Sequence, residues 1–102
     1  MNTKINFEPN TEEQKIFTNL LNSGNFDDAQ ELLDIYDSKI LNSSILSYYQ
    51  GFVYYKKDKF EKSIEFYQNS LRINPSYIEA ANNIGLIYLQ KKQYDLAQDF
   101  FY

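Results

Sequence analysis

Residues 44–77 read SILSYYQGFVYYKKDKFEKSIEFYQNSLRINPSY, and this stretch decides the fold. It holds a glycine followed three residues later by a tyrosine (Gly51, Tyr54), and it closes on Asn74-Pro75. Displaced by thirty-four residues, Gly51 falls on Gly85, Tyr54 on Tyr88, Phe60 on Tyr94, Ser63 on Ala97, Phe66 on Phe100 and Tyr67 on Phe101. Displaced the other way, Tyr54 falls on Leu20, Phe60 on Phe26, Ser63 on Ala29 and Tyr67 on Leu33. A fixed period held over three copies, with side-chain size kept at each site, marks a repeat array. The small residue at Ala29, Ser63 and Ala97 is the most informative, because small sites mark where two helices come closest.

Periodicity and punctuation predict six helices. Asn10 or Thr11 can cap the first, with Glu12 and Glu13 favoured in its first turn by the helix dipole. Ile16, Phe17, Leu20 and Leu21 form its apolar stripe. Asn22-Ser23-Gly24-Asn25 ends it, since glycine accepts the left-handed turn past a helix. The second helix starts near Phe26 and buries Phe26, Ala29, Leu32, Leu33 and Tyr36. A link over residues 37–43 leads to a third helix, capped by Ser43 or Ser44 and running to about Lys57. The fourth spans about Lys59 to Ile73 and stops at Asn74-Pro75. Ser76 with Glu79 is expected to form a capping box opening the fifth, which runs to about Lys91 or Lys92. The sixth starts near Tyr94. Only two or three residues join the helices of each copy, so they are expected to be antiparallel. Gly51 and Gly85 let the facing helix approach, with Tyr54 and Tyr88 filling the space alongside.

The pattern resembles the tetratricopeptide repeat, a helical unit with a glycine, a tyrosine three residues on, then an alanine, an aromatic and a proline. The middle copy matches through Gly51, Tyr54, Phe60, Ser63, Tyr67, Ser70 and Pro75. The third matches through Ile84-Gly85, Tyr88, Tyr94, Ala97 and Phe101. In the first, Phe17 stands at the glycine site and Leu41 at the proline site. Ser47 and Ala81 replace the family's tryptophan. The resemblance implies an all-α fold, a right-handed superhelix of antiparallel helix pairs. Residues 1–9 are read as a flexible leader, and 10–102 as one domain with repeats over about 10–43, 44–77 and 78–102. The last repeat is short and ends on Phe100-Phe101-Tyr102 without the polar cap helix usual in the family. Either the chain is a piece of a longer array, or another molecule covers this end, a second copy included.

Composition narrows the function classes. Ten tyrosines and eight phenylalanines in 102 residues supply much of the buried area, at roughly 150–250 Å² each. With no cysteine and no histidine, disulfides, thiol chemistry and histidine-based catalysis or metal binding are excluded. The net charge of −4 argues against a nucleic-acid surface. Lys56, Lys57, Lys59 and Lys62 alternate with Asp58, Glu61 and Glu65, which reads as a solvated helix end. Met1 to Asn10 is no signal peptide, and no apolar run approaches the ~20 residues of a membrane span. An intracellular, cytoplasmic setting is the expectation, without cofactor, metal, nucleic acid or membrane.

For function, the resemblance implies a protein-interaction module whose first helices line a concave groove. By register, the groove sites are Lys15 and Thr18 from the first copy, Tyr48, Tyr49 and Phe52 from the second, and Asn82, Asn83 and Leu86 from the third. Packing on the neighbouring helix is the competing reading for these aromatics, and the favoured one for Tyr55. Asn83 is expected to face solvent and to bond a bound peptide's backbone, with Lys15 favouring an acidic residue. The lysine-rich clamp that grips chaperone tails in one branch of the family falls here on Gln14, Thr18, Tyr49, Glu79 and Asn83, so that role is disfavoured. Asp27-Asp28 and Glu61/Glu65 recur at second-helix starts and read as dipole complement rather than a catalytic pair. No phosphate loop or nucleophile elbow is present, so the chain is not read as an enzyme. The alternatives are a self-associating scaffold and the regulatory part of a larger, possibly enzymatic, protein.

Overall fold

The computed structural model describes residues 12–37 and 43–100. The expected leader, the link over 38–42, and Phe101 and Tyr102 lie outside them. Among the described residues there are six helices and no strand. They are α1 (Glu12–Asn22), α2 (Phe26–Asp37), α3 (Ser44–Lys56), α4 (Phe60–Ile73), α5 (Ile78–Gln90) and α6 (Tyr94–Gln98). Each packs against its neighbours in the chain, α3 on α4 most extensively, and the molecule is elongated, 48 by 28 by 21 Å. Stability in such a stack comes from each pair covering the apolar face of the next.

The repeat is written into the backbone as well as the side chains. Gly24, Asp58 and Lys92, thirty-four residues apart, all take the left-handed conformation at φ of 79°, 59° and 60°. The widest bond across each turn recurs with it: Asn25 N–H to Leu20 O (2.8 Å), Lys59 N–H to Tyr54 O (2.9 Å) and Gln93 N–H to Tyr88 O (2.8 Å). Glycine meets this demand without strain only in the first turn. A non-glycine residue there is disfavoured by roughly 1–2 kcal/mol.

The small sites are where the helices touch. Ala29, Ser63 and Ala97 are all buried. Ser63 goes further, its hydroxyl donating to Gly51 O at 2.7 Å and pinning α4 to α3. What fills the notch at Gly51 is the ring of Tyr67, three of whose carbons lie 2.7–3.0 Å from where a Cβ would stand. Tyr54, expected beside that notch, stacks on Phe66 instead, with ring centroids 5.3 Å apart. At the open end of this pair Ser44 and Ser70 exchange bonds, each hydroxyl donating to the other's carbonyl at 2.9 and 2.8 Å.

Ion pairs repeat with the same period. Lys57 lies 2.7 Å from Asp27, and Lys91 lies 3.2 Å from Glu61. Each ties the turn ending one first helix to the start of the preceding second helix. Lys57 also donates to Gln30 (2.8 Å), which donates in turn to the Tyr54 hydroxyl (2.7 Å). These acids therefore bridge successive pairs, beyond the dipole role read from the sequence.

Ser43 is the cap of α3, accepting from Leu46 N–H at 3.1 Å. The capping box at Ser76 does not form. Asn74 takes the Ser76 N–H on its side chain (3.1 Å), and α5 opens one residue later with Tyr77 at the capping position. Tyr77 is held there by its ring, 5.2 Å from that of Tyr48. In α1, Phe17 is fully buried, whereas Ile16, expected beside it in the stripe, is 52% exposed.

Candidate functional site

α3 and α5, the first helices of the second and third pairs, carry the aromatic and amide side chains of the expected groove. Along α3, Tyr48, Tyr49 and Phe52 are half-buried. Tyr49 packs edge-on against Phe17 of α1, centroids 4.9 Å apart. Tyr48 sits at the centre of a tyrosine cluster, its ring 5.5 Å from Tyr49, 5.6 Å from Tyr67 and 5.2 Å from Tyr77.

Asn83 ties this cluster together. Its side-chain amide donates to the hydroxyls of Tyr48 and Tyr67, each at 3.2 Å. The expectation of a solvent-facing amide therefore does not hold: α5 packs on α4, bringing Asn83 over the buried Tyr67 hydroxyl, which needs a partner. Burial pushes the hydroxyls of Tyr48, Tyr49 and Tyr67 above the usual tyrosine range, and that of Tyr77 to about 12. Asn83 opposes the rise at Tyr48 and Tyr67 by donating to them, while the Glu79 carboxylate adds to it at Tyr48 and Tyr77.

Below this cluster, toward the C-terminal ends of α3 and α5, lies a cavity of about 190 Å³ lined by Phe52, Tyr55, Asn83 and Leu86. Its walls are two aromatic rings and a leucine that is 43% exposed, with one amide as polar group. Tyr55 does two things here. It packs against the core, as expected, and it also forms a wall, its hydroxyl accepting from Gln90 at 2.7 Å. Two larger hollows of about 340 Å³ lie elsewhere. One is lined by Glu65, Phe66, Gln68, Asn69 and Arg72, the other by residues 92–96. Charged groups border both, so both are markedly more polar than the hollow between α3 and α5.

Of the eight residues expected in the groove, Phe52, Asn83 and Leu86 meet in this cavity, and Tyr48 joins them through Asn83. Lys15 and Thr18 are exposed on α1, with Lys15 4.0 Å from Glu12. Asn82 is half-buried and does not line the cavity. Lys56, read from the sequence as part of a solvated helix end, lies near these walls. Its ammonium lies 5.4 Å from the centroid of the Phe52 ring and 5.9 Å from that of Tyr55, the two rings that line the cavity. The signal available was its place one residue after Tyr55 in the last turn of α3.

Residues 51–92 match a family model described as TPR repeat. The chain is 30% identical over 69 residues to the uncharacterized protein ycf37 of Pyropia yezoensis, covering 68% of this chain and 38% of that protein. It is 30% identical over 74 residues to the chloroplastic tetratricopeptide repeat domain-containing protein PYG7 of Arabidopsis thaliana, covering 72% of this chain and 21% of that one. The chain thus spans well under half the length of these relatives. Among solved structures, MamA superposes with a TM-score of 0.78 at 26% identity, over 83% of this chain and 50% of the other. A MamA double mutant (RS-1 ArsTM) superposes at 0.76, with 19% identity, over 86% and 49%, a likeness of fold. Among the described residues no helix is long and apolar enough to cross a membrane.

Proposed function

Because this chain belongs to the tetratricopeptide-repeat family, we propose that it acts by binding a peptide or helical segment of a partner protein along the face shared by α1, α3 and α5. The observation that carries this reading is the cavity between α3 and α5, where Phe52, Tyr55 and Leu86 converge beside the amide of Asn83. A partly exposed apolar hollow with one polar group suits one anchoring side chain of a bound segment. The tyrosine hydroxyls and amides along the same face supply polar contacts. Asn83 acts within this scheme mainly by positioning: its bonds to Tyr48 and Tyr67 hold the wall of the cavity.

Selection from a random dodecapeptide display library against the protein tests the proposal. Selected peptides are expected to lose binding on the Leu86→Glu variant, which places a charge in the cavity while leaving the core intact. Peptides that bind Leu86→Glu as tightly as the parent would overturn the groove reading. A second reading, association between copies through α6, is favoured by the exposed Tyr94 and Leu96. A single monomeric mass by sedimentation at about millimolar concentration would exclude it.

A further inference from the structure

The cavity is asymmetric in charge, and that asymmetry bears on what it takes. Five lysines follow or flank the two aromatic walls at the helix-turn end of the pairs: Lys56, Lys57, Lys59, Lys91 and Lys92. Two are committed to the stack, Lys57 to Asp27 and Lys91 to Glu61. Lys56 has no carboxylate partner among the described residues, and its ammonium sits over the rings of Phe52 and Tyr55 that wall the cavity. Aromatic faces hold a cation near them without neutralising it. At the opposite end of the same face stands Glu79 in the first turn of α5, near enough to the tyrosine cluster to act on Tyr48 and Tyr77. A segment lying along the groove therefore meets a positive edge beside the apolar hollow and a negative one beyond the tyrosines.

From this placement we infer that the cavity takes a protein segment carrying one large apolar side chain, of leucine or phenylalanine size, with an aspartate or glutamate one or two residues away. The apolar side chain fills the hollow between Phe52, Tyr55 and Leu86, and the carboxylate meets Lys56. The spacing follows from distance. Consecutive Cα atoms are about 3.8 Å apart, and Lys56 lies within 6 Å of both wall rings, so a carboxylate further along the segment overshoots it. The inference rests on the groove reading above and adds the chemistry of the occupant.

The probes are three fluorescein-labelled dodecapeptides in a glycine-serine background. One carries Phe followed by Asp-Glu, one Phe followed by Lys-Lys, and one Ala followed by Asp-Glu. Anisotropy titrations of the parent protein should give the Phe-Asp-Glu peptide roughly 1.5-fold to fivefold the affinity of Phe-Lys-Lys, the range for exposed ion pairs. The Ala peptide should bind more weakly still. Lys56→Glu should reverse the order of the first two, and about 0.5 M salt should erase it. Equal affinity for the acidic and basic peptides, or no measurable binding of any at about 1 mM, overturns the inference. The variant Leu86→Glu separates the two levels: Phe-Asp-Glu binding it as well as the parent removes the groove reading itself. Loss there, with no charge preference in the parent, removes only the acidic partner.

Discussion

Replacing Gly51 by alanine tests the central contact of the fold, because two opposing effects of known size meet at one atom. In an exposed helix interior, glycine to alanine stabilises by about 1 kcal/mol through the backbone alone. Here the new Cβ would lie 2.7 Å from Cδ1, 2.9 Å from Cε1 and 3.0 Å from Cγ of Tyr67, well inside the 3.5–4.0 Å at which carbons attract. Tyr67 cannot retreat cheaply. Its ring is fully buried, its hydroxyl is bonded to Asn83, and Ser63 one turn earlier is bonded to Gly51 O. Overpacking of this kind costs about 1–3 kcal/mol, so the net change is a loss of up to about 2 kcal/mol. With about 1 kcal/mol as the centre, the melting temperature should fall by roughly 4–8 °C for a domain of this size. Thermal and urea unfolding followed by circular dichroism measure it. In a Tyr67→Leu background the ring is gone, and Gly51→Ala should turn neutral or stabilising. A parent-background Gly51→Ala that melts higher, as propensity alone demands, refutes the close-contact account.

Other outcomes follow from the same geometry. Asn83→Ala should lower stability by about 1–3 kcal/mol, since the buried Tyr67 hydroxyl and the Tyr48 hydroxyl both lose a partner; an unchanged unfolding midpoint would show the amide to be free for ligand. Gly85→Leu, at a buried site in α5, should destabilise by a similar about 1–3 kcal/mol through overpacking, again read by unfolding. Lys92→Gly should raise the melting temperature slightly, because the residue holds a left-handed turn that glycine adopts without strain. Alkaline pH should weaken the fold. Tyr77 ionises near 10 in the unfolded chain but only at about 12 in the folded one, so its contribution is complete below about pH 10 and lost as pH rises toward 12. The melting temperature of the parent should fall relative to that of Tyr77→Phe over that window.

The thirty-four-residue period was enough, by itself, to determine the helices and their pairing. Spacing of apolar residues selects a face, and the small sites at Ala29, Ser63 and Ala97 select the closest approach; both are local properties of the chain. Register for the same reason brings Phe52, Asn83 and Leu86 to one place, where they line a common cavity. Tertiary packing decided how those side chains are used. Which ring enters the Gly51 notch depends on the distance between α3 and α4, and Tyr67 rather than Tyr54 reaches it. Whether Asn83 meets water or two hydroxyls depends on where α5 settles on α4. The start of α5 moved to Ile78 because Asn74 and the Tyr77 ring offered partners that Ser76 could not match. Equally, nothing in a row of lysines distinguishes Lys57 and Lys91, which close the stack, from Lys56, which lies over the rings of Phe52 and Tyr55. That division exists only once successive helix pairs are in contact, because an ion pair between repeats joins residues thirty apart that the period aligns but does not bring together.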